Sequence, residues 1–156
     1  MAKHLLEVSD LSVIFHTVTG DVRAVNKVNW YLDKGEVLAI LGESGSGKSV
    51  SASAIVDLID MPPGEVTSGK IDFNGNNLLA MSASQRREIN GKNIAVIFQD
   101  PLSHLNPVYT VGWQIEEALK VHGTDSQTAH QEMLNLLEKV GIPYPHQAAK
   151  KYPHQF

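Results

Sequence analysis

The stretch Gly42-Glu43-Ser44-Gly45-Ser46-Gly47-Lys48-Ser49 decides the fold of this chain. The apolar run before it, Val37-Leu38-Ala39-Ile40-Leu41, predicts a strand, and Val50 to Ile59 after it predicts a helix. Strand, glycine-rich turn, lysine, hydroxyl residue and helix together spell a phosphate-binding P-loop. Gly42, Gly45 and Gly47 permit a tight curl that turns successive N–H groups toward one point, forming an anion nest. The helix adds unpaired N-terminal amides and the positive end of its dipole. Lys48 brings a point charge for the β- and γ-phosphates, and the Ser49 hydroxyl is a ligand for Mg2+. The competing interpretation is a glycine-rich turn with a solvated lysine; the strand before and the helix after weigh against it. The motif implies binding of a nucleoside triphosphate, or descent from a protein that binds one.

Composition narrows the class. The 156 residues suffice for one domain with a core but are few for a complete P-loop ATPase. Apolar residues make up 42%, near the globular norm, and no run is long and apolar enough to span a membrane. The start, Met1 to Glu7, lacks the apolar core of a signal peptide, because Glu7 and Asp10 interrupt it. The absence of cysteine excludes disulfides, thiolate catalysis and cysteine-bound metals, and fits the cytoplasm. A net charge of -4 with no basic stripe argues against nucleic acid as a partner. Arg86, Arg87 and Lys92 form the densest basic spot, expected on a solvated helix face. The seven histidines are scattered and show no metal-ligand spacing.

Along the chain, residues 5–15 and Val22 to Leu32 predict two strands joined at Thr19-Gly20-Asp21 as a hairpin. Val66 to Phe73 predicts a third, closed by Asn74-Gly75. Ser82-Ala83-Ser84-Gln85 is a capping box for a short helix ending before Gly91. Asn93 to Phe98 is a continuous apolar run suited to a buried strand of a parallel sheet. Helices follow, from about Thr110 to His122 and from the box Thr124-Asp125-Ser126-Gln127 to about Val140. The second presents Met133, Leu134, Leu137 and Val140 to a core. The change of character near residue 102 suggests two parts, 1–101 and 102–156.

Gln99, in Ile97-Phe98-Gln99-Asp100-Pro101, stands at the C-terminal end of a predicted core strand, where α/β sheets place ligands. Its side-chain oxygen suits a metal or an attacking water; in isolation it would read as a loop-capping glutamine. With the P-loop, the chain resembles the ATP-binding subunit of ABC transporters from Leu5 to Phe156, closest to the dipeptide/oligopeptide (and nickel) importer branch. The match is carried by Gly42–Ser49, Gly69–Gly75, Ile97–Leu102, Leu105-Asn106-Pro107 and the terminal Tyr152-Pro153-His154-Gln155-Phe156.

The resemblance implies an α/β fold: a P-loop NTPase core, incomplete here, with an N-terminal antiparallel β subdomain and the start of a helical subdomain. It implies ATP and Mg as cofactors. Phe15 would stack on adenine, with Val25 against the sugar, although the family more often has tyrosine at the stacking position. Gly42, Glu43, Ser44, Gly45, Ser46, Gly47, Lys48, Ser49 and Val50 would hold the phosphates. Ser49 and Gln99 would ligate Mg2+, Gln99 relaying nucleotide state to the membrane subunit. The segment from Leu102 onward would help form the groove for a coupling helix of the permease. Implied partners are permease subunits and a second ATP-binding subunit, at the cytoplasmic face of the cell membrane. His104, where relatives usually have a small polar residue, is not expected to be a ligand.

The resemblance also places the signature motif, the Mg2+-binding aspartate, the catalytic glutamate and the switch histidine after Phe156. The 156 residues are therefore expected to be a truncated piece, binding nucleotide at most and lacking a catalytic base. Two later strands would separate Val37–Leu41 from Asn93–Phe98, so these runs are not expected to pair with each other, and exposed edges are expected. A non-catalytic nucleotide-binding fragment and a soluble ABC ATPase without a transporter are the alternatives; Gln99 to Pro107 argues against the second. A small-molecule kinase is weaker still, because of the long β-rich lead-in before the P-loop.

Overall fold

A computed structural model describes residues 4–156; Met1–Lys3, part of the signal-peptide reading, lie outside the described residues. The chain forms two compact units, the first ending at Asn90 and the second spanning Gly91–Phe156. Among the described residues no helix is long and apolar enough to cross a membrane.

In the first unit, β1 (Leu6–Thr17) and β2 (Gly20–Leu32) form the expected antiparallel hairpin. β3 (Gly64–Phe73) pairs with the other edge of β1, and a two-residue β4 (Asn76–Asn77) closes the order β2-β1-β3-β4. Asn74 and Gly75 both have positive φ, as the two-residue turn requires. β1 buries Val8, Leu11 and Val13, the irregularity between Val8 and Leu11 keeping both on the face that joins Val25 and Ile71 in the core.

The sheet bends along one transverse line. Register shifts interrupt the β1–β2 ladder between Val8 and Ile14 and the β1–β3 ladder between Ser9 and Val13, and φ is positive at Asp10, Lys27 and Gly69. Side chains replace the ladder bonds lost there. The Asp10 amide donates to Asn29 Oδ1 (2.8 Å), the Lys27 amide to Ser12 Oγ (3.0 Å), and Ser68 Oγ donates to the Asp10 carbonyl (3.1 Å). These bonds keep the backbone polar groups satisfied where the bulges disrupt pairing.

α1 (Lys48–Val56) is set against β1 and β2, burying Ala54, Ile55 and Val56. α2 (Ala83–Ile89) starts on Ser82 with both bonds of the predicted capping box in place. It closes the end of α1: Arg86 Nη2 donates to the Ala54 carbonyl (3.2 Å) and Asn90 Nδ2 to the Val56 carbonyl (2.8 Å).

In the second unit, α3 (Val111–Val121) and α4 (Ser126–Lys139) pack through Met133, Leu134 and Leu137 against Val111 and Ile115. The short α5 (Pro145–Ala148) leads into residues that dock on the start of α3, where the amides of Val111 and Gly112 donate to the Lys151 and Ala149 carbonyls (2.9 Å each). The N-cap of α4 is Asp125, one residue later than expected, with Oδ1 accepting from Gln127 and Thr128 (3.0 Å each). Val140 falls at the C-cap and is exposed rather than in the core stripe.

Two strand expectations are corrected. Neither Val37–Leu41 nor Asn93–Phe98 forms a strand of the described sheet. Val37 is 93% exposed, Leu41 91% and Ile97 92%. Apolar runs of this kind become strands only when neighbours satisfy their amides and carbonyls, and no described strand pairs with them.

A Cβ at Gly69 would lie 2.6 Å from Leu11 Cα, 2.7 Å from Leu11 N and 2.8 Å from the Asp10 carbonyl carbon, with φ at +106°. Gly69→Ala should therefore cost about 3–4 kcal/mol in urea unfolding. Gly20→Ala has positive φ but nothing within 4 Å, and should cost only about 1–2 kcal/mol. In the second unit, Lys120 and His130 hold the Glu116 carboxyl below its ordinary range from 2.7 and 2.8 Å. A depressed carboxylate stabilises above its unfolded pKa and loses that stabilisation as pH falls through the folded value. Glu116→Gln should flatten the drop in melting temperature between neutral and acid pH, modestly because solvent screens the pairs.

Candidate functional site

The loop between Leu41 and α1 is built on two left-handed glycines, Gly45 (φ 81°) and Gly47 (φ 87°). Gly47 sits at the head of α1 and packs onto β2, where a Cβ would collide with the Ala24 carbonyl oxygen and come 3.3 Å from Val25 Cγ2. Only glycine meets both the φ and the space. Ser51, buried one turn into α1, donates from its amide (2.9 Å) and hydroxyl (3.0 Å) to the Gly47 carbonyl, holding the loop to the helix.

Inside the loop the Lys48 ammonium is folded back. It donates to the carbonyls of Gly42 (2.7 Å) and Glu43 (2.6 Å) and to Ser46 Oγ (3.1 Å). Gly42 is equally confined, since a Cβ there would lie 2.7 Å from Ser46 Oγ. The loop is thus a closed ring of oxygens around one cation.

The head of α1 contrasts with the other long helices. Ser82, Thr110 and Asp125 each supply a side-chain acceptor at the start of α2, α3 and α4, whereas Gly47 supplies none and the first turn of α1 holds no acidic residue. Its leading amides and dipole are left for an outside anion. Glu43, Ser44, Ser46 and Ser49 are exposed, and Val50 is half-buried.

Val25 is buried, opposite Val13 of β1, and touches the loop through Gly47. Phe15 is half-buried and pairs with Gly64, where a Cβ would lie 3.0 Å from Phe15 Cε1. His16 beside it bridges two strands: Nδ1 meets Asp21 at 2.8 Å and Nε2 meets Glu65 at 3.0 Å. Hydrogen bonds to Glu65 and then Asp21 raise its pKa above the ordinary imidazole value.

Gln99 belongs to the second unit, exposed in a bend after Phe98. The bend is held by Ser103 Oγ (3.0 Å) and His104 Nδ1 (2.8 Å), both donating to the Asp100 carbonyl, and by the Phe98 and His104 rings stacked at 4.0 Å. His104 is thus a loop brace, a role no spacing rule discloses. Further on, Gln114 ties the loop by accepting from the Asn106 amide (2.9 Å) and donating to the Asn106 and Tyr109 carbonyls (3.0 and 3.1 Å). Leu102, Val108, Tyr109 and Trp113 remain exposed along this stretch.

Arg86 departs from its expected place on a solvated face. It is only 4% exposed, because the turn of α2 that carries it faces the end of α1. Its two neighbours in the basic spot, Arg87 and Lys92, are exposed as expected. An unbroken helical reading of α2 from the Ser82 cap would have put Arg86 at the fourth helical position, but not which face was buried.

Comparison with known proteins agrees with this architecture. The family model described as ABC transporter matches residues 25–156. The oligopeptide transport ATP-binding protein OppD of Bacillus subtilis is 49% identical over 153 residues, covering 97% of this chain and 43% of that protein. The dipeptide transport ATP-binding protein DppD of Escherichia coli is 49% identical over 152 residues, covering 97% of this chain and 46% of that protein. The chain thus spans less than half the length of these relatives. Among solved structures, the dimeric cassette MJ0796, a bacterial ABC transporter cassette, matches with a TM-score of 0.80 at 20% identity, over 97% of this chain and 62% of that one. The likeness shows the same α/β cassette fold. With a glycine loop seated on a β hairpin, a matching fold and a family match over most of its residues, the chain belongs to the ABC transporter family.

Proposed function

We propose that this chain is the nucleotide-binding portion of an ATP-binding subunit of an importer for peptides or related small solutes. The observation that carries this reading is the uncapped head of α1 with the Lys48 ammonium ringed by loop oxygens. A triphosphate would accept from the amides that no side chain satisfies, and Lys48 would exchange loop oxygens for phosphate oxygens. Gly42, Glu43, Ser44, Gly45, Ser46, Gly47, Ser49 and Val50 complete the phosphate cradle in this assignment. Phe15 is assigned to the base and Val25 to the sugar.

The donor set fits Mg2+. Among the described residues no group of three His, Cys, Asp or Glu could hold a metal ion, so an all-protein cage is not offered. The Ser49 hydroxyl would hold a magnesium ion together with phosphate oxygens and water, and the Gln99 side-chain oxygen is a donor of the same hard kind that this ion favours. When bound, it would draw charge from the phosphates.

None of the residues assigned here is a general base, so binding rather than hydrolysis is assigned to these 156 residues. The exposed stretch from Leu102 to Trp113, at the start of the helical part, is assigned to contact with permease subunits at the cytoplasmic membrane face. A second ATP-binding subunit would complete the nucleotide site. The peptide-transport names of OppD and DppD, at 49% identity, support the importer reading. The nucleotide-binding part of the reading is supported by the ADP and phosphate in a post-hydrolysis structure of MJ0796, whose fold this chain matches with a TM-score of 0.77.

Calorimetry with Mg-ATP tests the central claim. The unaltered chain should bind saturably, and Lys48→Ala should weaken binding at least about tenfold, the loss of one charge-assisted phosphate contact. Equal affinity for the two proteins would remove Lys48 and the loop from the assignment. Phe15→Ala should weaken ATP while leaving inorganic triphosphate unchanged, because the ring is assigned to the base alone.

A further inference from the structure

At the end of β1 that carries Phe15, one side chain spans three strands. The pairing of β1 with β2 is regular from Ile14 to Thr17, so His16 and Ile14 share one face of β1 and Phe15 takes the other. His16 lies directly opposite Asp21 of β2, and Glu65 of β3 is the partner of Ile14. The ring reaches both carboxylates, Nδ1 lying 2.8 Å from Asp21 Oδ1 and Nε2 3.0 Å from Glu65 Oε2. The His16 amide donates to the Pro63 carbonyl (2.9 Å), just beyond the β1–β3 ladder.

Two carboxylates on one imidazole set a proton requirement. An ionised carboxylate only accepts, so each ring nitrogen must carry a hydrogen to bond one. A neutral imidazole has a single N–H, and its other nitrogen would turn a lone pair toward a carboxylate oxygen. Both bonds therefore exist together only in the imidazolium. The ring is half exposed, and its bonds to Glu65 first and Asp21 second raise its pKa above the ordinary imidazole value. Arg23 shares that face as the partner of Ile14, and Asp60 stands in the turn before β3. Among the described residues neither of these is ion-paired with His16, whose two partners are Asp21 and Glu65.

The strand positions gripped are those that set Phe15. Phe15 pairs with Val22, next to Asp21, and with Gly64, next to Glu65. We propose that His16 is a proton-operated clamp at the base end of the nucleotide site: the imidazolium ties β2 and β3 to β1 across the back of Phe15, and the neutral ring lets one of them go. The link to nucleotide rests on the assignment of Phe15 to the base, whereas the clamp does not. With the folded-state pKa raised, the stabilisation is complete below the unfolded value and is lost as pH rises through the folded one. Rising pH thus loosens the Phe15 end of the sheet and leaves the phosphate contacts at Lys48 in place.

The experiment follows the isotopically labelled chain by NMR from about pH 6 to about pH 9, a range that spans imidazole titration. Ring nitrogen shifts give the charge state of His16, and hydrogen-exchange protection of the His16 and Gly64 amides gives the state of the clamp. In the unaltered chain protection should fall about threefold as the ring loses its proton, the small factor of a solvent-exposed pair. In His16→Gln it should be low and independent of pH. Asp21→Asn and Glu65→Gln should each lower the His16 pKa. Affinity for ATP relative to inorganic triphosphate should fall about threefold over the same range, and stay constant in His16→Gln. The ratio cancels the ionisation that the two ligands share. A His16 pKa at or below the ordinary imidazole value would overturn the proposal. So would the same pH course of protection in His16→Gln, or a constant ATP-to-triphosphate ratio in the unaltered chain. Absence of saturable ATP binding at every pH would instead sink the nucleotide assignment, and amide protection would then decide the clamp.

Discussion

The close seat of Gly47 on β2 is the constraint on which the site depends. At Gly47 the chain needs a left-handed turn, and at the same point its backbone meets the Ala24 carbonyl with no room for a side chain. That contact fixes the head of α1 relative to the hairpin, and with it the ring of oxygens around Lys48. The hairpin can serve as a platform because its bend is held by side chains. Asn29, Ser12 and Ser68 occupy the hydrogen-bonding positions that the bulges at Asp10, Lys27 and Gly69 vacate.

The same requirement for satisfied backbone explains the two apolar runs that form no strand. Val37–Leu41 and Asn93–Phe98 have the composition of buried parallel strands, but composition provides side-chain surface and not hydrogen-bond partners. Around Val37–Leu41 the chain still delivers Gly42 to the loop, since Lys48 ties Gly42 and Glu43 to the helix head from within. The loop geometry therefore has a local source that needs no ladder beside it.

Local signals were the most legible in the sequence. The Ser82 capping box, the Asn74-Gly75 turn and the hairpin around Thr19-Gly20 depend on residues a few positions apart and appear as expected. Where two caps were adjacent, at Thr124 and Asp125, the carboxylate won, because Asp125 reaches two amides at once. Legibility failed where burial is set by another element. Arg86 is drawn into the interior by the end of α1, and Val140 is left out because the helix stops at Lys139.

The sequence alone determined the P-loop, its lysine and hydroxyl residue, the hairpin and third strand, the order of the helices and the family, because glycine placement, cap residues and hydrophobic period act locally along the chain. Tertiary structure decided the rest. It set Gly47 against Ala24, folded the Lys48 ammonium into the loop, braced the bend after Gln99 with His104 and buried Arg86 beside a cavity. Each of these depends on which distant backbone atoms come within a few ångströms, and on which polar groups are left to find partners there. Such distances come from packing between elements, which no local pattern encodes.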